Sequence, residues 1–506
     1  MSRRAAAIAV AACVVLGAGL RALSCTNDFW LDEIWTYWDA LRLRSPLEVF
    51  TAIHHSNNHH LNTLLFYWLG DRREWAVYRL PALAAGTATI ALGAALGARR
   101  GRLEAVLAAL LFAASFPLVH FSSEARGYSL AVAFALAALL ALLRWLERGH
   151  AADAVLFAAC TSLGLLAQLV SVFAWAGALA LSARQVARQS APRAPALRRA
   201  LALHAAPALV LAALWWVDLR HLRVGGGPEA HAADVVARSV GFALGLPVHD
   251  ALAPLYAALA LAIVGLGIRR LRREGDALWL YCLVAIAVAP AAILGAARPA
   301  VVDLRYFLIG IALALVLLAA LLADGLRAGG ARRAAAALAI AVFLVGSARA
   351  ETRFLALGRG GYGAALRFMA EHSAGESVVV GSDHDFRNEM TLRFYARTLP
   401  ADKRLDYRPR GAWPPGGPEW YVVHRSARPS APPAEIELPG AARYALAAEF
   451  DHAAISGFYW AVYRRADAGS GAPSGEGSPD PARRRRIAMP NPSPPNGSGP
   501  MRATRS

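Results

Sequence analysis

The sequence predicts a polytopic α-helical membrane protein with a small α/β domain outside the membrane. Of its 506 residues, 57% are apolar and only 17% are charged, whereas charged residues alone usually make up about 25% of a soluble domain. The apolar residues form runs of roughly 20, the length that a helix needs to cross about 30 Å of hydrocarbon. The basic residues stand in short clusters between these runs, as is typical of the loops that orient a membrane protein.

Nine apolar runs are candidates for single membrane spans. They cover residues 5–23, 77–98, 103–121, 128–146, 201–219, 251–268, 277–297, 306–326 and 334–347. A further run, 153–183, is too long for one upright span, and Gln168 and Ser171 interrupt it near the middle. We predict a hairpin of two short helices there, which gives about eleven transmembrane helices. The first run is interpreted as an uncleaved helix rather than a cleaved signal peptide, because no clear cleavage site precedes a soluble domain.

Six clusters of Arg predict the orientation. They lie at residues 3–4, 99–102, 144–148, 184–199, 269–273 and 327–333. All six fall on one side of the membrane only if the 153–183 run is a hairpin. Because cytoplasmic loops carry the excess of Arg and Lys, we expect a multi-pass protein of the cell inner (plasma) membrane, with a cytoplasmic N-terminus and an extracytoplasmic C-terminus. The formal net charge of +18 belongs to these clusters and not to one soluble basic face, so we expect no nucleic-acid partner.

The composition divides the chain into three parts. Residues 1–349 form the membrane domain, in which 24–76 is the first outer loop, and residues 350–465 form the extracytoplasmic α/β domain. Patterns in the second part predict helices at 362–372 and 386–396 and strands at 377–382, 421–424 and 458–463. Residues 466–506 are mainly Gly, Ser, Pro and Arg, which cannot bury enough apolar surface to fold, so we predict a disordered tail.

The first outer loop carries an adjacent pair of carboxylates, Asp32 and Glu33. They lie among Trp30, Trp35 and Trp38, and such aromatic residues favour the membrane interface. We therefore expect a helix along the membrane surface with both carboxylates at the water boundary, as candidate catalytic groups. The alternative is an ordinary acidic pair at the start of a helix.

The same loop contains the segment HHSNNHH at residues 54–60. Metal sites need a defined ligand geometry that a string of adjacent His rarely supplies, so we favour hydrogen bonding to a polar substrate. His55, Asn58 and His59 are candidate substrate-binding residues. We expect no cofactor and assign no metal ligands, while assistance by a divalent ion stays open as an alternative.

Two later outer loops place an Arg and a Tyr at the head of a span. The first contains Glu124, Arg126 and Tyr128, and the second contains Arg305 and Tyr306. An Arg at this depth can simply extend to the interface. Beside carboxylates it also suits a phosphate, because its planar fork donates two N–H bonds. All five are candidate donor- or acceptor-binding residues.

The order of these motifs resembles the C-type superfamily of membrane glycosyltransferases, in particular the bacterial branch similar to dolichyl-phosphate-mannose protein mannosyltransferases and lipid A aminoarabinose transferases. The resemblance covers roughly residues 5 to 330. It rests on Asp32-Glu33, NNHHLN at 57–62, Arg79-Leu80-Pro81, EARGY at 124–128 and Arg305-Tyr306. Where the family often has a His-Pro-Pro stretch, this chain has Asn58-His59-His60, so the choice of donor or acceptor can differ.

The resemblance implies a glycosyltransferase that moves a hexosyl or pentosyl group from a polyprenyl-phosphate donor to an acceptor at the outer face. It implies a catalytic role for Asp32, which fits a general base in a one-step inverting displacement, with Glu33 orienting Asp32 or the acceptor. Arg126 and Arg305 would then neutralise the departing phosphate. The implied partners are the lipid-linked donor, the bilayer, and a protein, glycolipid or envelope-polymer acceptor.

Two other classes remain open. A transporter of lipid-linked substrates is expected to carry ionisable or helix-breaking residues within its spans and internal repeats, and we see no clear repeat. A membrane polysaccharide polymerase or ligase is expected to place reactive Arg and His in one large late outer loop. Here the loop 220–250 carries only scattered His.

Overall fold

The computed structural model describes residues 1–188, 193–223, 232–297, 301–438, 442–453 and 455–466. The predicted disordered tail lies outside the described residues from 467 onward. Helices make up most of the described chain as far as Leu357, and two further helices and a six-stranded sheet follow.

The helices are numbered in chain order. They are α1 (Arg3–Ser24), α2 (Leu31–Arg42), α3 (Glu48–Thr51), α4 (His60–Leu69), α5 (Ala76–Ala98), α6 (Arg102–Ala114), α7 (Phe116–Ser122), α8 (Tyr128–Arg148), α9 (Ala151–Ala167), α10 (Ser171–Arg188), α11 (Ala194–Val217), α12 (Ala232–Ala243), α13 (Ala253–Arg273), α14 (Leu278–Leu283), α15 (Ala289–Ala297), α16 (Leu308–Ala328), α17 (Gly330–Leu357), α18 (Tyr362–His372) and α19 (Asp385–Ala396). A π-helical turn, Val284–Val288, joins α14 to α15.

Eight helical segments in the described part of the chain are long and apolar enough to cross a membrane, and a ninth results if the bent pair α6–α7 crosses as one. The chain is therefore a multi-pass helical membrane protein. The α17 helix extends beyond the predicted span 334–347 to Leu357, because polar residues ended the apolar run without ending the helix. The helix stops where Gly358 adopts a φ of +60°, a conformation that glycine tolerates without strain.

The predicted hairpin at 153–183 is confirmed. The α9 helix ends at Ala167, Gln168 is extended, and α10 begins at Ser171. The Ser171 hydroxyl donates to the Gly164 carbonyl at 2.8 Å, which also accepts from the Gln168 amide at 2.9 Å, so the turn between the two helices is held by two hydrogen bonds. Eleven spans would require α9 and α10, of 17 and 18 residues, each to cross the membrane, and that count stays a prediction.

Three of the six Arg clusters meet at one carboxylate. Glu104 is fully buried and accepts hydrogen bonds from Arg100 Nε at 2.8 Å and Arg270 Nη2 at 2.6 Å, and Arg327 Nη1 lies 3.6 Å away. These clusters therefore lie on the same side of the helical domain, as the orientation argument requires.

A buried Arg supports the bend between α6 and α7. The two helices meet at 58° around Ser115, and such a break leaves backbone carbonyls without helical partners. Arg21, on α1, donates to the carbonyls of Phe112 at 2.9 Å and Ala113 at 3.3 Å. The bend is thereby stabilised inside the membrane domain, where unpaired carbonyls would be costly.

The C-terminal domain contains one mixed sheet. Its strands are β1 (Ser377–Ser382), β2 (Arg404–Tyr407), β3 (Trp420–Arg425), β4 (Glu435–Glu437), β5 (Arg443–Phe450) and β6 (Tyr459–Arg465), in the order β2-β1-β3-β6-β5-β4. The β1 strand is parallel to β2 and β3, and the remaining pairs are antiparallel. The predictions for α18, β1, α19, β3 and β6 are confirmed. The pattern missed β2 and β4 because they are short, and β5 because Ala is a weak strand former.

The C-terminal domain packs directly on the first outer loop. Phe29, Ile34 and Tyr37 of that loop share one apolar cluster with Leu366 and Phe394 of the domain. The Tyr395 hydroxyl donates to the Phe29 carbonyl at 2.9 Å, and the Gly363 amide donates to Asp28 Oδ2 at 3.0 Å. The position of α2 is therefore fixed from both sides, by the membrane helices and by the C-terminal domain.

Candidate active site

The first turn of α2 presents its two carboxylates to different surroundings, because successive residues on a helix point about 100° apart. Asp32 Oδ2 accepts a hydrogen bond from Arg305 Nη1 at 2.6 Å, and the two side chains are 14% and 19% exposed. Glu33 is fully buried. Only Asp32 therefore reaches a surface that a substrate can approach.

Glu33 is engaged on both oxygens. Its Oε1 accepts from Arg79 Nε at 2.8 Å and from the Ala125 amide at 2.6 Å, and its Oε2 accepts from Arg79 Nη2 at 2.7 Å. Arg79 also donates to the carbonyls of Cys25 and Asp28, both at 2.8 Å. Glu33 was predicted among the catalytic residues. In the structure it joins three segments, namely the first turn of α2, α5 through Arg79 and the loop at Ala125. The role of Arg79 was missed, because the sequence shows it only as a motif at the start of a span.

Arg305 is positioned by a short 3-10 turn, Leu304–Phe307, at the head of α16. Asp303 caps this turn by accepting from the Arg305 amide at 3.1 Å. In the part of the chain that the structure describes, Arg305 Nε is buried without a hydrogen-bond partner, and the nearest carboxylate oxygen, Asp303 Oδ2, is 3.5 Å away. Arg305 therefore keeps an N–H donor beyond the one that binds Asp32.

Arg126 lies deeper than Arg305 and is only 1% exposed. Its Nη1 donates to the Thr36 hydroxyl at 2.9 Å and to the Asn57 carbonyl at 2.8 Å, and its Nη2 lies 3.0 Å from His59 Nε2. The side chain does not extend to water, as a purely interfacial Arg would. It places a fixed positive charge beneath the first outer loop.

Tyr128 stands between the two Arg side chains. Its ring centroid is 5.8 Å from the Arg126 guanidinium carbon and 5.9 Å from that of Arg305, and the His59 ring meets it edge-on at 4.7 Å. The preceding Gly127 is required by close packing, since a Cβ there would lie 1.9 Å from the Ala167 carbonyl oxygen. Four of the predicted site residues outside α2 are thereby brought together.

His59 is a neutral hydrogen-bonding group. Its Nδ1 accepts from the Gly127 amide at 3.0 Å. Burial, with the positive charges of Arg126 and Arg305, lowers the pKa of His59 well below its usual value. The Gln168 amide lies 3.1 Å from Nε2. Gln168 was not assigned to the site from the sequence. A signal was available, because Gln168 is a polar break on the outer side of the predicted hairpin.

Two predicted loop residues lie apart from this group. His55 Nε2 is hydrogen-bonded to Asp39 Oδ2 at 3.0 Å, and its ring stacks on Trp35 at 4.4 Å. The Asn58 amide donates to the carbonyls of Val49 at 2.8 Å and Ile53 at 3.1 Å. Asn58 therefore supports the loop. His55 packs against Trp35 and Asp39 of α2, one to two helical turns beyond Asp32.

Glu124 and Tyr306 flank the site. Glu124 is fully buried, and its Oε2 accepts from the Ser456 hydroxyl of the outer domain at 3.2 Å. Burial raises the pKa of Glu124 to about 7, although Arg359 opposes the shift. Tyr306 is half-buried, with its ring centroid 6.0 Å from the Arg305 guanidinium carbon.

A His-Asp-His arrangement next to the site was not predicted. The buried Asp218, at the end of α11, is 2.7 Å from both His54 Nδ1 and His60 Nε2. These contacts fix the 54–60 segment, which carries His59, against the membrane helices. Within the described ranges, no group of three or more His, Cys, Asp or Glu side chains is arranged so that it could hold a metal ion.

A scan against protein-family models gives no match, and neither does a search of the curated proteins. Among solved structures, the archaeal oligosaccharyltransferase AglB from Archaeoglobus fulgidus, in complex with an inhibitory peptide and a dolichol-phosphate, is similar at 13% identity with a TM-score of 0.43. The alignment covers 83% of this chain and 69% of that one. ArnT from Cupriavidus metallidurans, bound to undecaprenyl phosphate, is similar at 14% identity with a TM-score of 0.44, covering 92% of this chain and 98% of that one.

At these TM-scores the likeness is distant, and the function of this chain is inferred below from its own residues.

Proposed function

We propose that this protein transfers a sugar from a polyprenyl-phosphate donor to a hydroxyl group of an acceptor, with inversion at the anomeric carbon. The observation that carries the proposal is the contact between the partly exposed side chains of Asp32 and Arg305, next to the buried Arg126. A carboxylate beside two guanidinium groups suits a reaction in which a proton is removed and an anionic phosphate departs.

The two Arg side chains match the charge that develops on the donor. A sugar joined to polyprenyl phosphate carries one negative charge on the phosphate, and the released polyprenyl phosphate carries up to two. Such charge is costly next to hydrocarbon unless it is neutralised. Arg305 is the phosphate contact in this proposal, because it is partly exposed and has an N–H that is unpaired among the described residues. Arg126 adds a fixed positive charge without having to move.

Asp32 is the proposed general base. The acceptor oxygen attacks the anomeric carbon from the side opposite the phosphate, and its proton passes to Asp32. The bond between the anomeric carbon and the phosphate oxygen breaks, and its electron pair leaves with the phosphate. Binding of the donor phosphate to Arg305 would compete with the Asp32–Arg305 bond, so the donor itself would release the base for the acceptor.

Glu33 and His59 are positioning residues in this proposal. Glu33 fixes the first turn of α2 through Arg79 and the Ala125 amide, and so aligns Asp32 with the loop that carries Arg126. His59 accepts a hydrogen bond from the Gly127 amide. This bond fixes the backbone between Arg126 and Tyr128 and so orients both side chains. We propose that four remaining candidates form the boundary of the site. They are His55, Asn58, Glu124 and Tyr306.

The proposal places the reaction at the outer face of the inner membrane, with eleven spans, a cytoplasmic N-terminus and the α/β domain outside. The Arg clusters at the opposite ends of the helices support this orientation. The lipid tail of the donor would lie between spans, and the acceptor is a protein, a glycolipid or an envelope polymer.

Purified full-length protein should be incubated with a polyprenyl-phosphate donor that carries a radiolabelled sugar and with each acceptor class in turn. We expect label on one acceptor, free polyprenyl phosphate, and the opposite anomeric configuration in the product. Asp32→Asn is the matched control and should give no product. Movement of intact labelled donor across vesicles would instead indicate a transporter, and growth of a polymer from a lipid-linked chain would indicate a polymerase.

A further inference from the structure

A groove of about 610 Å³ opens between α8, α9, α10 and α11 at the ends far from the candidate active site. The α8 helix carries Tyr128 at one end and Arg148, which lines the groove, at the other. The α9 helix likewise runs from the groove at Ala151 to Gln168 beside His59. Twenty-one residues of helix span roughly 30 Å, so the groove and the active site lie on opposite faces of the membrane.

Small side chains create this groove. On α9 the lining residues are Ala151, Ala154, Val155 and Ala158, whose spacing of three and four residues places them on one face of the helix. On α11 the lining residues are Ala196, Arg199, Ala200, Ala202 and Leu203, three of them Ala. The volume is within the range of roughly 300 to 1,000 Å³ that is usual for ligand pockets. An apolar groove of this kind suits a hydrocarbon chain.

Two Arg side chains, Arg148 and Arg199, line the same groove and are exposed. Across the described residues neither has a carboxylate within ion-pair distance, whereas their neighbour Arg144 is bound to Asp153 at 2.7 Å. The segment between α10 and α11, residues 189–192, reads Gln-Ser-Ala-Pro and brings no carboxylate. The groove therefore combines an apolar wall with two uncompensated positive charges.

We propose that this groove binds an anionic phospholipid of the Arg-rich side of the membrane. One acyl chain lies along the Ala-lined faces of α9 and α11, and the headgroup phosphate lies between Arg148 and Arg199. Anionic lipids are attracted to basic residues at this surface by about 1 kcal/mol for each Arg or Lys, and Arg binds phosphate through charge-assisted hydrogen bonds. The bound lipid joins α8 and α9, which carry Tyr128 and Gln168 at their other ends, to α10 and α11.

The test is a comparison of lipids on the purified full-length protein in detergent. Retained lipid is measured by native mass spectrometry, and the melting temperature is measured with added phosphatidylglycerol, phosphatidylcholine or water-soluble glycerophosphate. A ligand that binds only the folded state raises the melting temperature. We expect that phosphatidylglycerol alone is retained by the protein and raises its melting temperature. An equal rise with phosphatidylcholine would overturn the role of the two Arg, and an equal rise with glycerophosphate would overturn the role of the groove.

Variants locate the site. The double variant R148Q/R199Q should bind phosphatidylglycerol about tenfold or more weakly, since two positive charges are lost. Arg198→Gln is the control for the change at Arg199, because it removes one positive charge from the adjacent position, about 100° around α11. If the double variant does not fold, Ala154→Leu narrows the groove with both charges intact and should also reduce retention. Unchanged retention in either variant would overturn the proposal.

Discussion

Arg305 Nη1 donates a 2.6 Å hydrogen bond to Asp32 Oδ2 across 273 residues of sequence. The bond joins the first outer loop to the head of α16, and it brings the proposed base into contact with the proposed phosphate-binding group. An anionic donor that binds Arg305 through its remaining N–H groups therefore brings its phosphate next to Asp32. The two functions of the site are coupled through one guanidinium group.

Replacement of Asp32 by Asn should separate turnover from donor binding. The variant loses the group that takes the proton, so we expect kcat to fall by about 10²- to 10⁴-fold. The dissociation constant of the donor should stay the same or fall, because Arg305 no longer has a charged partner. Both quantities are measured on the same purified protein. Asp39→Asn, two turns further along α2, is the matched control and should keep its turnover; an Asp32→Asn protein with most of its activity would refute the role of Asp32.

Replacement of Arg305 should act on the donor. A hydrogen bond to a charged group contributes about 1.5 to 3 kcal/mol, so Arg305→Gln should weaken the binding of polyprenyl phosphate by roughly 10- to 100-fold. Arg305→Lys keeps the charge and loses the fork geometry, so its loss should be smaller. Arg220→Gln removes a positive charge from an exposed side chain just beyond the end of α11 and serves as the control. Equal affinity in wild type and Arg305→Gln would show that the phosphate binds elsewhere.

Glu33→Gln should reduce stability, in contrast to Asp32→Asn. The substitution leaves the fully buried Arg79 without a counter-charge, and breaking a buried ion pair in this way costs about 3 to 5 kcal/mol. We expect a much larger drop in melting temperature for Glu33→Gln than for Asp32→Asn. The double variant Glu33→Gln/Arg79→Gln should lose less than the sum of the two single changes. If Glu33→Gln melts like the wild type and has lost turnover, Glu33 acts in the chemistry.

The membrane fold was predictable from the sequence because each apolar run has to be about as long as the bilayer is thick. The hairpin of α9 and α10 followed from one polar interruption and from the side on which the Arg clusters must lie. The strand β5 was missed because it is rich in Ala, and the length of α17 was missed because hydropathy reports the membrane and not the end of a helix.

The candidate site was predictable only in part. Asp32, Arg126, Tyr128 and Arg305 stand out because they lie in the predicted outer loops, where the His, Asp, Asn and Tyr residues of the chain gather. The different surroundings of Asp32 and Glu33 depend on Arg79 and the Ala125 amide, which approach only in the folded chain. The same is true of Asp218, whose two His partners lie 164 and 158 residues earlier in the sequence.

His59 should make the folded protein less stable as the pH falls below about 6.5. Its pKa is lowered in the folded protein, whereas an unfolded chain has an ordinary His pKa near 6.5. Below about pH 6.5 the unfolded chain therefore binds a proton that the folded chain does not, and stability falls as pH falls, by at most about 1.4 kcal/mol per pH unit. The melting temperature of wild type should drop relative to His59→Gln between pH 6.5 and pH 5. His221→Gln, at an exposed His, should show no such difference from wild type.

Glu124 should show the opposite dependence. Its pKa is raised to about 7 in the folded protein, whereas an unfolded Glu titrates near 4.3, so between these values the folded chain holds a proton that the unfolded chain has lost. The stability from this proton is fully present below about pH 4.3 and is lost as pH rises towards 7, a change on the order of 3 kcal/mol. Glu124→Gln cannot titrate, and it should therefore gain melting temperature relative to wild type as the pH rises from 4.5 to 8. Glu371→Gln, at an exposed position of α18, is the control. A constant difference between Glu124→Gln and wild type over this range would show that the buried carboxyl group is ionised throughout and that Arg359, 3.9 Å away, compensates its charge.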